Sequence, residues 1–298
     1  MKVLVVAVTG VAGKTAVASG IARGLLIREA DVGVMKPFSI HDWYMDYDNS
    51  AINLKRRAVF SRDALRLAEA AKLDELPLEL LNPVHGVTLP PSASYLLKGF
   101  TAHYFSLLSN LMSRMVLARV SLKGDVFLNI YLVNEEPLLK GYVEESLPLR
   151  ILSPKTGIQV KVSSSRQLQS AINLYGAKAV VSCFKVLSRM FSYLIVEGFA
   201  DVATPPLGLH GFDLVLTVAP GYVLVYNGDK YLKATEVLGA FRSSELKVRD
   251  IVEVIRPSRV FKIPPIASNM IKEYDSLALR LEDLVEYIID LEDKLFVG

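Results

Sequence analysis

Apolar residues along this chain fall into two patterns, short unbroken runs and longer stretches at helical spacing. Lys2 to Val8 is an apolar, β-branched run with the length and composition of a strand buried on both faces. After Lys14 the spacing becomes helical and ends near Ile27. Asp31 to Pro37 gives a second short strand that closes on Lys36. A helix is expected over Asp63 to Lys72, with Ser61 placed to cap it. Before it, residues 39–50 (SIHDWYMDYDNS) show no periodicity and read as a surface loop or a substrate-side flap. Leu81 to His85 and Thr88 to Ser92 carry Pro83, Pro90 and Pro91 and read as an irregular connection. From about Ala93 to Val120 the apolar residues recur at helical spacing, which predicts one long helix.

The stretch 121–163 changes character. DVFLNIYLV, GYVEESLPLRIL and TGIQVKVSS are strand-like with Gly, Pro and acidic breaks, so a small β-rich insertion or flap is expected there. A helix from about Ser165 to Ser192, broken near Gly176, returns to the main pattern. Tyr193 to Gly198 is an apolar strand ending in Glu197. The strands FDLVLTV and YVLVYN meet at Ala219-Pro220-Gly221, and helices follow at about 229–241 and 248–255. A strand at Arg259 to Ile263 precedes a charged amphipathic helix or helix pair from about Asn269 to Leu295. Strands alternating with helices make the chain α/β, a mainly parallel sheet flanked by helices, read as one domain over 1–298.

Composition narrows the class. The 298 residues can bury a substantial core, and 51% hydrophobic with 22% charged is ordinary for a globular protein. No apolar run approaches the ~18 residues that span a bilayer, and Lys2 to Val8 is too short for a signal-peptide core. A cytoplasmic protein without a membrane partner is therefore expected. The single cysteine, Cys183, excludes an intramolecular disulfide and reads as a small buried hydrophobe. A net charge of +3 gives no case for nucleic acid, and the four histidines lack metal-ligand spacing.

The candidate chemistry starts where the first strand ends. Thr9-Gly10-Val11-Ala12-Gly13-Lys14-Thr15 lies between a strand and a helix. That context suits a phosphate cradle: inward N–H groups, a positive helix N-terminus, and a lysine reaching the outer phosphates. Gly10, Val11, Ala12, Gly13, Lys14 and Thr15 are the expected nucleotide contacts, with the Thr15 hydroxyl placed for magnesium. Val8 stands where the usual pattern has a glycine, so a plain tight turn with an exposed lysine is the competing reading. Lys36 would emerge on the ligand side, at the carboxyl end of its strand. Glu197 suits a magnesium-side carboxylate, or else a charged strand end in solvent.

Taken in order, these pieces resemble the dethiobiotin synthetase family, within the wider class of P-loop NTPases that includes cobyrinic acid amidating enzymes and MinD-like ATPases. Val8-Thr9-Gly10 with Gly13-Lys14-Thr15 looks like that family's phosphate loop, and Gly33 to Pro37 is similar to its Gly-Tyr-Lys-Pro strand end. Ser61-Arg62-Asp63-Ala64-Leu65 resembles its Ser-Asp-Ala-Leu helix start. Asn82-Pro83, Pro90-Pro91-Ser92, Val196-Glu197-Gly198 and Thr204-Pro205 follow in the family's order.

The resemblance implies an ATP-dependent, Mg2+-requiring ligase that phosphorylates a carbamate or carboxylate and closes a C–N bond. Lys14 and Lys36 would be catalytic, Thr15, Asp63 and Glu197 would surround magnesium, and a homodimer would be the working form. The small-molecule substrate would be an amine, carbamate or carboxylate. The family's Thr-Glu in the loop is replaced by Gly10-Val11, and its Gly-Ala-Gly-Gly by Gly198-Phe199-Ala200-Asp201, both on the substrate side. A MinD-like switch or assembly ATPase is the alternative, although Thr9 stands where such switches carry a signature lysine. An inactive nucleotide-binding relative is a further one.

Overall fold

The computed structural model describes residues 1–10, 12–144, 157–242, 245–266 and 268–296. Their strands, in chain order, are β1 (Lys2–Ala7), β2 (Val32–Met35), β3 (Phe38–Asp42), β4 (Val84–Thr88), β5 (Met115–Lys123), β6 (Phe127–Asn134), β7 (Ile158–Val162), β8 (Tyr193–Glu197), β9 (Leu214–Ala219), β10 (Tyr222–Asn227) and β11 (Arg259–Lys262). Helices lie between many of them, so the fold is α/β. The chain forms two compact units, the first of residues 1–37, 63–77 and 184–298, the second of residues 38–62 and 78–183.

In the first unit a six-stranded sheet runs β11-β10-β9-β1-β8-β2. β9, β1, β8 and β2 are mutually parallel, while β10 pairs antiparallel with both β9 and β11. The sheet is thus mixed, parallel through its centre. Val3 to Ala7, Leu194 to Val196 and Val215 to Leu216 are almost wholly buried, as strands covered on both faces require. The turn between β9 and β10 uses Gly221 at φ 79, a left-handed position that glycine adopts without a Cβ clash. The helix Lys14–Ile27 lies against the helices Tyr274–Arg280 and Glu282–Phe296. At Gly20 a Cβ would come within 2.6 Å of Leu281 Cδ1 and 3.1 Å of the Leu277 carbonyl, so the close approach requires glycine.

The second unit holds a five-stranded sheet, β3-β4-β5-β6-β7, parallel at its two outer pairs and antiparallel within. Trp43, Val87, Leu117 and Tyr131 anchor its core. Three expectations change here. The helix predicted over Ala93 to Val120 is three short helices, Ser94–Leu97, Thr101–Ser109 and Leu111–Arg114, followed by β5. β5 is buried over Met115 to Ser121, so its apolar residues do not alternate, and cross-strand pairing decides the conformation. Residues 39–50 are not a loop throughout: β3 ends at Asp42 and a helix begins at Tyr47. The expected irregular connection contains β4, a strand buried along its whole length. The stretch 121–163, read as a small β-rich insertion or flap, holds the end of β5, β6 and β7; part of it, 145–156, lies outside the described residues. The helix break expected near Gly176 is a π turn, Ile172–Gly176.

Candidate functional site

The carboxyl ends of three parallel strands bring four of the sequence-derived residues together in the first unit. β1 runs out into the turn that carries Lys14 and Thr15, Lys36 follows β2 by one residue, and Glu197 is the last residue of β8. Strand order places β8 between β1 and β2, so Glu197 stands between the other two strand ends. Its Oε1 accepts from Lys36 Nζ at 2.6 Å and from the Thr15 hydroxyl at 3.0 Å. Lys36 also donates to the Gly198 carbonyl at 2.8 Å. Lys14 Nζ donates to the Ala200 carbonyl at 2.6 Å. Ala200 adopts φ 46, an unfavourable value for a residue with a Cβ, and it turns that carbonyl toward the lysine.

Asp63 enters through Lys36. One of its oxygens lies 4.0 Å from Lys36 Nζ and the other 3.9 Å from the Arg66 guanidinium. Lys36 and Glu197 are both almost fully buried, and Lys14 is only 6% exposed. Burial pushes the Glu197 carboxyl above its ordinary value, against the pull of the Lys36 charge. Burial holds the Lys14 ammonium below its ordinary value, and the like charge of Lys36 acts in the same direction. An anion brought beside Lys14 would offset both effects.

The turn itself fits that chemistry. Gly13, at φ 91, precedes the helix Lys14–Ile27, whose first turn has no acidic residue and no capping side chain. The positive end of a helix this long is favourable for an anion. Gly10 and Gly13 are exposed and Ala12 half-buried, while Val11 lies outside the described residues. Beside Gly13 opens a cavity of about 440 Å³, lined by Ala16, Val218, Gly221, Ile263 and Pro264 among others. Its described lining is Gly, Ala, Val, Ile and Pro, a surface suited to the faces of a flat ring.

For a divalent cation the available oxygens are the Thr15 hydroxyl and Glu197. Glu197 Oε2 is buried and has no hydrogen-bond partner among the described residues, so a ligand position is left over beside the hydroxyl. Thr15 and Glu197 therefore fit such an ion, and Asp63 lies beside Lys36. Among the described residues no group of three His, Cys, Asp or Glu side chains could hold a metal by itself.

Sequence reasoning missed three contributors. The Gly198 and Ala200 carbonyls hold the two lysines, and only the backbone conformation reveals them. Arg66 was legible in principle, since it stands three residues after Asp63 and so shares its helix face. The histidines at 41 and 85 form a different cluster in the second unit, hydrogen-bonded to each other at 2.7 Å. No described helix is long and apolar enough to cross a membrane. No protein-family model, curated protein or solved structure matches the chain.

Proposed function

We propose that the first unit is a P-loop NTPase-type domain that binds ATP with Mg2+ and transfers the γ-phosphoryl to a carbamate or carboxylate oxygen, releasing ADP. An amine of the substrate then attacks the carbon bearing that oxygen and expels inorganic phosphate as the C–N bond closes, in the manner of dethiobiotin synthetase. The observation that carries this reading is the convergence of Lys14, Thr15, Lys36 and Glu197 at three neighbouring strand ends. Phosphoryl transfer needs little covalent chemistry from the protein; it needs positioning and charge neutralisation around the transferring group.

Lys14 would leave the Ala200 carbonyl for the β- and γ-phosphates, while the helix N-terminus after Gly13 takes the remaining negative charge. Lys36, held by Glu197 and Gly198, would face the equatorial oxygens and the incoming carboxylate or carbamate oxygen. Thr15 and Glu197 would hold magnesium, which when bound supplies further neutralisation of the phosphate oxygens. The apolar cavity beside Gly13 would take the base.

ATP turnover with and without 7,8-diaminononanoate plus bicarbonate tests the reading. Stimulation by the diamine is the expected result. Turnover that responds only to a protein partner would favour a switch ATPase, and failure to bind ATP would overturn the proposal.

A further inference from the structure

The pair of short helices Ser94–Leu97 and Thr101–Ser109 in the second unit forms a protruding apolar tip. Gly99, at φ 77, makes the turn between them. The first helix has no buried residue and the second only Leu107. Residues 96–103 are exposed without a break, so the tip stands clear of the core instead of lining a groove. Leu97 is 88% exposed, Phe105 59%, Phe100 58% and Leu96 42%. Apolar side chains scattered singly on a surface need no explanation, but this cluster on one tip does.

The polar groups of the tip suit a lipid surface. From Tyr95 to Ser109 the only formally charged side chain is Lys98, and the sequence has no Asp or Glu between Glu79 and Asp125. The carboxylates of the adjoining segment 135–144 are engaged. Glu144 accepts from the Ser92 hydroxyl at 2.6 Å, Glu136 pairs with Lys140 and Glu135 with Lys161. Tyr95 and Tyr142 each meet the His103 ring edge-on, with centroids 4.6 and 5.9 Å away. Rings with an apolar body and a polar end suit headgroup depth, and a lysine among apolar side chains extends its ammonium to the phosphates. A protein that receives or supplies a helix would call for a groove, which an exposed convex tip does not offer.

We propose that residues 94–109 dock the protein on the surface of a phospholipid bilayer. Leu97, Phe100 and Phe105 enter the boundary between headgroups and acyl chains, and Lys98 reaches the headgroup phosphates. The expectation of no membrane partner rested on the missing spanning run, and contact of this depth needs none. Apolar area drives the docking, since a single lysine adds little attraction. The inference does not rest on the nucleotide reading above.

Sedimentation of the full chain with sucrose-loaded phosphatidylcholine vesicles tests the docking. The wild type is expected to pellet with them and to stay bound in high salt. Leu97→Asp combined with Phe100→Asp should weaken the binding at least tenfold, with an unchanged urea-unfolding midpoint because both side chains are exposed. Leu97→Trp gives a second readout. Above the constant signal of buried Trp43, its added emission should be that of tryptophan in water, and it should shift to the blue when vesicles are added. Vesicle binding that is absent, lost in high salt, or unchanged in the double variant overturns the proposal. Emission from Leu97→Trp that is already blue without vesicles also overturns it, because the tip is then covered by the chain itself or by a second copy. Sedimentation velocity of the wild type and the double variant tells those two apart.

Discussion

The two fully buried arginines of the second unit and the groups at the strand ends of the first are completed to different degrees. In the second unit Arg119 is fully buried, and its three nitrogens donate to the Val59 carbonyl, the Ser121 hydroxyl and the Asn82 carbonyl, with the Phe60 ring beneath the guanidinium. Arg114 is as deeply buried and donates to Asp42 and to the carbonyls of Leu89, Leu107 and Leu108. Those cations are closed into the fold, so they read as structure. Among the described residues, Glu197 Oε2 and Arg66 Nε in the first unit are buried without a hydrogen-bond partner, as is Arg62 Nε in the second, and Lys14 donates to backbone carbonyls. Polar groups left open where strands end are what a ligand completes. Burial of charge is therefore no guide to function by itself; an unfilled position counts where strands end and other polar groups converge.

Arg119→Met probes the closed network most harshly. It would leave the Val59 and Asn82 carbonyls without their donor and should lower stability by about 4 kcal/mol in urea unfolding. If it costs under about 1 kcal/mol, the network is not what holds this unit.

The histidine chain comes next. His41 Nδ1 faces His85 Nε2, and His85 Nδ1 lies 2.6 Å from the Ser39 hydroxyl. Burial holds His41 down at about 4, below its ordinary 6.5, with Asp42 favouring the charged form and Arg62 opposing it. The folded value is the lower one, so the stability is fully present above pH 6.5 and is lost as pH falls toward about 4. At about 1.4 kcal/mol per pH unit the loss approaches ~3 kcal/mol. Urea unfolding between pH 7 and 4 should show that slope, and His41→Leu should flatten it.

In the open site the order reverses, with large effects on ligand and small effects on fold. Lys14→Ala should weaken ATP binding about a hundredfold, equal to ~2.7 kcal/mol, by fluorescence titration with a labelled analogue. Arg66→Gln should change unfolding stability by no more than ~0.5 kcal/mol, because the ion pair lost with Asp63 is long and partly exposed. A large drop in stability would place Arg66 with the closed arginines and erase the contrast.

How much of this was legible depended on how each segment is buried. β1, β2 and β8 are short apolar runs that stop at a turn, a lysine and a glutamate, so strand and site residue could be read together. β5 failed because a strand covered on both faces has no alternation to read, and its apolar spacing also fits a helix. β3 failed for another reason: Ser39, His41 and Asp42 are polar yet buried, and they hydrogen-bond to His85, Thr88 and Arg114. Composition reads such residues as loop. The carbonyl of Ala200 depends on one backbone angle and leaves no trace in residue type. Arg66 leaves only its spacing from Asp63.

The central claim is that Thr15 and Glu197 make the open end of the first unit a magnesium–nucleotide site. The dissociation constant of ATP, measured with and without Mg2+ for the wild type and for Glu197→Gln, tests it most directly. The account predicts that Mg2+ tightens binding at least tenfold in the wild type and has no such effect in Glu197→Gln. Binding by the wild type that ignores Mg2+, or a magnesium effect that survives the substitution, would contradict it.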